Sequence, residues 1–492
     1  MRRLEWRVRL ACAAILALLA TVVRAGDAVE PRDEWFIVSI AGSDCGWLHE
    51  QVRVDGERVI TLSQMQFTLG RAGAAAVMEV GWDFEESPAG TPRTCSVRQR
   101  SGDARSDVRY RFTADQVEIE ERAGGRDIRR SIPLPPRPWL TPAEVERETR
   151  RARSGGADSL AYRTIDPTAG LRIVDMASTR ESIAADGSSA WVTTNSALPI
   201  PTREEFDASG RVMRSVTPLP VGEMITRRST ERAARAAAKH GAQIDLIGRS
   251  MVAVGAAGKG LPRASRAVLK VRSVNGAPPA LESSGAQRAS APDGGVVEVS
   301  VDASRSSEAT AAERQDPALL RSSILIDSDE PAVRELAQSI LRAAGLPADA
   351  SEAARAEALR VGVFRFITNK SMATAFAGAS EVVRTKSGDC SEHAVLLAAV
   401  LRAQGIRARV ASGLVYADHF AGGDHVFVWH MWTQAMLGGR WHDLDATLDS
   451  RAFHPGHLLL ATSVQDDAQL DADFSAIVAV IGNVKIEVMR VD

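Results

Sequence analysis

The sequence predicts an α+β fold: one or two antiparallel β-rich domains, followed by a C-terminal domain in which helices lead into an antiparallel sheet. Three observations carry this. From Trp35 to about Ala303 the chain shows short runs with period-two alternation, broken by pairs such as Asp55-Gly56 and Asp186-Gly187, the pattern of half-buried antiparallel strands. After Ser306 the apolar residues move to helical spacing. Beyond Phe427 two strand-like runs return around Gly438-Gly439, a hairpin signal. With 492 residues, the chain is too long for one hydrophobic core and fits two to four domains.

Residues 1–25 form an address rather than part of the fold. Arg2, Arg3, Arg7 and Arg9 precede an apolar run, Leu10 to Val23, and Val23-Arg24-Ala25 resembles a small-residue cleavage site before Gly26. The run falls short of the roughly 20 residues that a bilayer span needs, so we expect a cleaved signal peptide. The mature chain is then secreted or periplasmic, with no stable membrane span. Five arginines leave with that segment, and what remains has no concentrated basic face, which argues against a nucleic-acid partner.

In residues 26–150, runs such as Phe36 to Ile40, Val59 to Leu62 and Val117 to Glu120, with turns at Asp55-Gly56 and Gly124-Gly125, read as an antiparallel meander. Pro133 to Pro142 interrupts it, and a polar helix, Ala143 to Arg153, leads to a boundary at Gly155-Gly156. Residues 151–310 form a second strand-rich region, either a domain of its own or continuous with the first. Its turns fall at Asp186-Gly187, Asp207 to Gly210 and Asn275-Gly276, with a helix over Thr230 to Lys239 and a loop from Ser283 to Asp293. In residues 311–492 the helical texture begins. Asp329-Glu330-Pro331 opens a run with Val333, Leu336, Ala337, Ile340 and Leu341 on one face, and Gly345-Leu346-Pro347 closes it. A second helix, Ser351 to Ile367, follows.

The mature chain retains Cys45, Cys95 and Cys390, an odd number for an oxidising compartment. Cys45 and Cys95 could pair, closing a loop of about 50 residues worth on the order of 4 kcal/mol, or both could be small buried hydrophobes. Cys390 is the chemically suggestive one. Lys386 to Leu397 reads as a helix start in which Asp389 caps and Glu392 completes a capping box. Ala394, Leu397, Ala398 and Leu401 then form a buried stripe, and Gly405 ends the helix. A thiol attacks only as thiolate, and the unpaired N–H groups of a first helical turn favour that anion. They could also bind the oxyanion formed on a carbonyl under attack. The bland reading of such a residue is an inert core cysteine.

The hairpin supplies the partners. If Gly438 and Gly439 are the two turn residues, Leu437 faces Arg440 and, counting outward, Trp432 faces Asp445 and His430 faces Thr447. His430 and Asp445 are then diagonal neighbours on one face, with Cα atoms about 7 to 8 Å apart. A histidine held by a carboxylate can take the thiol proton and return it to a leaving amine.

Gly388 to Ala394, Leu401 to Arg409, Gly413 to Tyr416, His430-Met431-Trp432, Arg440-Trp441 and Asp445-Ala446-Thr447 resemble, in order, the successive blocks of the transglutaminase-like superfamily, the papain-related thiol enzymes. The resemblance covers about residues 315 to 465. It implies a catalytic triad of Cys390, His430 and Asp445, with the Cys390 helix packed on the sheet that carries the other two. It also implies a thiol-dependent amide hydrolase or acyltransferase on protein or peptide carboxamides, working through a Cys390 thioester without a cofactor. The alternative is a non-catalytic envelope binding or assembly module on a retained scaffold. Gln434 stands where relatives often have an acidic residue, and Ala446 where a proline is frequent. Trp432 and Trp441 are candidate substrate-binding residues, expected with Trp429 to pack the sheet and cover the cleft.

Other residues compete for these roles. His393 lies near the Cys390 face of the same helix, where a base is poorly aimed; Asp443 shares the strand face of Asp445 but lies farther from His430. His419, Asp424, His425, His442, His454 and His457 form no compact ligand motif, so no metal is expected, and His454 to His457 reads as a loop.

Overall fold

The computed structural model describes residues 29–464 and 484–492, except 72–73, 102–103, 124–125, 169, 198–199, 220–221, 241–243, 246–250, 275–280, 324, 348 and 371–376. The segment expected to direct export and the turns expected at Gly124-Gly125 and Asn275-Gly276 lie outside the described residues. The fold is mixed α+β: a large N-terminal antiparallel sheet, then a C-terminal helix-and-sheet region.

The N-terminal sheet grows outward in hairpins from Arg32–Ile40. On one side come Ser43–Asp55, Arg58–Arg71, Ala74–Glu86, Pro92–Ser101, Ala104–Phe112, Gln116–Ala123 and Arg126–Pro133. On the other come Gly222–Ser229, Val212–Leu219, Thr202–Phe206, Ser189–Asn195, Arg172–Ile183 and Ser159–Asp166. Gly56, Gly187 and Gly210 turn the chain at φ of 57°, 86° and 78°, a region that side chains rarely adopt. The sheet curls: Tyr110, Val117 and Ile119 near one end share a core with Ile165 and Leu171 at the other, around Trp139. A parallel bridge, Leu140 to Thr164, joins the ends just before helix Pro142–Ser154.

Strand pairing divides the second strand-rich region. Strands from Ser159 to Ser229 continue the first sheet. Gln287–Ala289, Val296–Asp302 and Arg266–Ser273 instead form a four-stranded sheet with Val484–Val491. Period-two alternation reports that a strand has one buried face, and it is the same whichever sheet the strand joins. Leu269 and Val299 of this sheet pack against Leu414, Phe427 and Trp432 of the next.

That next sheet runs Ser307–Glu308, Arg440–Leu444, Gly423–Leu437, Ala408–Phe420, His457–Ser463, all antiparallel. Helix Cys390–Ala403 lies between it and helices Pro331–Ala343, Glu352–Phe366 and Ala379–Thr385. Leu396, Leu397, Val400 and Leu401 are fully buried, and so are Ala398 and Ala399 between them. The helix is therefore enclosed on all sides, beyond the one-sided stripe that its spacing suggested.

Cys45 and Cys95 are buried free thiols in separate cores. Their strands lie three positions apart in the sheet, about 14 Å at the usual strand spacing and beyond the roughly 7 Å that a disulfide tolerates. Burial pushes the Cys45 thiol up to about 11 and that of Cys95 well above its usual value. Reductant is expected to leave the denaturant midpoint of residues 26–492 unchanged. A bridge would have contributed on the order of 4 kcal/mol, so a clear loss of stability on reduction would contradict this placement.

Candidate active site

Cys390 occupies the first turn of its helix, partly exposed. Asp389 Oδ1 accepts from the Ser391 amide at 2.9 Å and the Ser391 hydroxyl at 2.8 Å, and Glu392 Oε2 accepts from the Asp389 amide at 2.9 Å. Glu392 Oε1 reaches back to the Ala377 amide at 3.1 Å. Burial, then the neighbouring Asp389, pushes this carboxyl up to about 8. Gly388 donates to the Asn369 carbonyl at 3.0 Å, and a Cβ there would lie 2.2 Å from that of Glu392. The loop before the thiol therefore tolerates only glycine at that step.

The hairpin has the expected register: Leu437 faces Arg440 and Thr433 faces Leu444, around Gly438 and Gly439 at φ of 57° and 79°. Asp445 follows the last pair. His430 Nε2 lies 2.8 Å from Asp445 Oδ2, which leaves Nδ1 as the ring nitrogen open to a further partner. Burial opposes charge on His430, but Asp445 and Cys390 outweigh it and hold the imidazole up at about 10. Asp445, buried against ionisation, is held well below the usual carboxylate range chiefly by His430, with His457 adding to the effect. Thr433 Oγ1 donates to the Ala394 carbonyl at 3.0 Å and ties the His430 strand to the Cys390 helix. The structure thus brings Cys390, His430 and Asp445 together.

Three further residues hold Asp445. His457 Nε2 lies 3.0 Å from the same Oδ2, while Oδ1 accepts from the Thr447 amide at 2.8 Å and hydroxyl at 2.7 Å. Arg360, 1% exposed, donates to the Asp445 carbonyl at 3.2 Å, to the Asp449 carbonyl at 3.3 Å and to that of Leu448. Sequence reasoning missed His457 and Arg360. His457 was read as loop, yet it begins strand His457–Ser463. For Arg360 a signal existed, an arginine set between the apolar positions Leu359 and Val363.

The rivals have other work. His393 places Nδ1 2.6 Å from the Asp389 carbonyl and Nε2 2.6 Å from Lys370 Nζ; burial, then Lys370, lowers it to about 4. Asp443 accepts from Trp432 Nε1 at 2.8 Å, Gln434 Nε2 at 2.8 Å and the Ala286 amide at 2.7 Å. His419 pairs with Asp424 at 2.6 Å on the surface, and His425 meets the Tyr416 hydroxyl at 2.8 Å. Trp432 and Trp441, expected to touch substrate, are each 1% exposed. Trp441 donates to Glu313 under the Arg409 guanidinium. Both rings pack the interior in this structure and offer no surface to a substrate.

His430, Asp445 and His457 also form a group, among the described residues, whose ligand atoms lie within 4.8 Å of one another and could hold a metal ion. An ion seated among them would compete with the hydrogen bonds that join the two rings to Asp445.

Residues 334–446 match the family described as the transglutaminase-like superfamily, and the chain carries that domain. No curated protein matches the chain significantly. Among solved structures it is similar to a β-barrel-like protein of a domain of unknown function from Brucella abortus (9% identity, 42% of this chain and 98% of that one, TM-score 0.33). It is also similar to a candidate cysteine protease from Cytophaga hutchinsonii (17% identity, 49% and 86%, TM-score 0.27). A third likeness is to a candidate protease from Parabacteroides distasonis (12% identity, 72% and 68%, TM-score 0.18).

Gln434, the departure from an acidic residue, is explained by its neighbours. Its amide donates to Asp443 and its carbonyl accepts from Arg409 at 3.0 Å and Ser284 at 3.1 Å, fully buried. Gln434→Glu sets a carboxylate oxygen against Asp443 with no proton between them, so one of the two must take a proton up on folding. A group whose pKa is raised by folding loses stability as pH rises. The variant is expected to lose about 3 kcal/mol at neutral pH and to recover part of it near pH 5, read from urea midpoints at the two pH values.

Proposed function

We propose that this protein is a thiol-dependent amide hydrolase, or an acyltransferase, acting on protein or peptide carboxamides. The observation that carries this reading is the buried imidazole of His430, bonded to Asp445 through Nε2, with the Cys390 side chain close enough to add to the charge it carries. The transglutaminase-like domain supports it.

In this reading the Cys390 sulfur attacks the substrate carbonyl carbon, and the first-turn amides of its helix face the developing oxyanion. His430 delivers its proton to the departing nitrogen as the C–N bond breaks, leaving an acyl thioester on Cys390. Water attacks the thioester next, with His430 taking its proton, and the acid and free thiol are released. An amine in place of water gives acyl transfer by the same steps. Asp445 keeps the ring aimed and offsets the imidazolium charge in a site with little water to do so. The basic and apolar N-terminal segment supports a site of action outside the cytoplasm; the exported chain is expected to begin at Gly26, as N-terminal sequencing would record.

Alkylation tests the pair directly. An ordinary thiol is only about 0.3% ionised at pH 6, so fast alkylation at that pH needs a base beside the sulfur. Iodoacetamide is expected to label Cys390 rapidly at pH 6, and His430→Ala to slow that labelling roughly 100-fold. Equal rates in the two proteins, or an adduct on another residue, would favour the scaffold reading.

A further inference from the structure

Among the described residues, buried His457 stands against the triad without belonging to it. His457, 1% exposed, puts Nε2 3.0 Å from Asp445 Oδ2, the oxygen that also accepts from His430. Its ring is fixed from every side. Nδ1 lies 2.9 Å from the His454 carbonyl, Phe453 stands 4.4 Å away between ring centroids, Trp432 5.1 Å and His430 5.4 Å. The backbone is fixed too, since His457 pairs with Val415 in the site sheet.

We infer that His457 is a positioning residue of the thiol centre, which holds the Asp445 carboxylate in the one orientation that keeps the His430 ring against Cys390. The inference rests on the thiol reading proposed above. A carboxylate has two oxygens and about four acceptor positions. Thr447 fills those on Oδ1 with its amide and hydroxyl. With His430 alone on Oδ2, one lone pair would remain unmatched in a dry interior, and the carboxylate could turn to satisfy it at the expense of the His430 bond. The second imidazole removes that alternative. It acts through Asp445 and touches neither sulfur nor substrate.

This differs from a merely packed histidine, because its effect passes through one oxygen atom. His457→Gln can keep an N–H donor for Asp445, whereas His457→Phe fills the space without one. The rate of iodoacetamide labelling of Cys390 at pH 6 and the melting temperature are measured for both, alone and in an Asp445→Asn background. His457→Phe is expected to slow labelling between 10- and about 100-fold, by analogy with the cost of losing an outer-shell partner that orients a metal-ligating histidine. His457→Gln is expected to recover the rate to within about threefold of the parent, and Phe to add less than about twofold once Asp445 is Asn, since residues that act through one partner are not additive. Equal slowing by Gln and Phe, or a full Phe effect in the Asp445→Asn background, makes His457 a packing residue and overturns the inference. If the Phe variant does not fold, His457→Leu takes its place under the same criteria. Labelling that is insensitive to His430→Ala defeats the thiol reading itself. Labelling that needs His430 but is untouched by His457→Phe defeats only the role of His457.

Discussion

A single buried carboxylate organises the C-terminal region. Asp445 is 1% exposed, and an ionised carboxylate without partners in such a place costs several kcal/mol. It is kept by four donors: the amide and hydroxyl of Thr447, and the rings of His430 and His457. Those donors come from the hairpin strand, the turn after it and a strand that begins twelve residues on. The carboxylate can sit there only when all three segments are in place, so the fold and the site form together. Arg360 extends the same logic to the backbone, gathering the carbonyls of Asp445, Leu448 and Asp449 onto a fourth element.

The sheet behind the site is held by a second polar network that never reaches the thiol. Arg409 bonds Gln434, Ser284 and Glu313, and Gln434 passes the connection to Asp443 and from there to Trp432 and Ala286. Gly285 is part of it: a Cβ there would lie 2.0 Å from Asp443 Oδ2. The segment from Ser284 to Gln287 is thereby fastened to the same strands that carry His430 and Asp445. The four-stranded sheet thus belongs with the thiol region rather than with the strands that precede it in sequence.

The legible parts were those governed by local rules. A capping box has a fixed spacing, so the Cys390 helix start could be placed to the residue, and a two-residue Gly-Gly turn sets a register that carried His430 and Asp445 to one side of a hairpin. The family blocks lie in the same stretch. What could not be read depends on contacts between distant segments. His457 sits in a Pro-Gly context that looks like loop, and only the pairing of its strand with Ala408–Phe420 brings it to Asp445. Arg266–Ser273 alternates like its predecessors and yet pairs with the last strand of the chain. Trp432 and Trp441 flank the motif in sequence, but each sends its indole N–H to a carboxylate, buried Asp443 and half-buried Glu313, and both rings lie in the interior.

Magnitudes show which part of this arrangement governs the chemistry. A helix terminus contributes about 0.3 to 1 kcal/mol to a nearby charge, up to about 2 in buried geometry. Raising an imidazole from 6.5 to about 10 takes on the order of 5 kcal/mol of preference for its charged form, and it does so here against the cost of burial. The helix start can therefore favour the sulfur anion but cannot supply its counter-ion. The carboxylate at hydrogen-bonding distance in the same dry interior is the larger of the two contributors to the charge on the imidazole, ahead of Cys390, and it works only while its own orientation is enforced. In the chemistry proposed for this site, control of the thiol would then lie with groups on the far side of the imidazole.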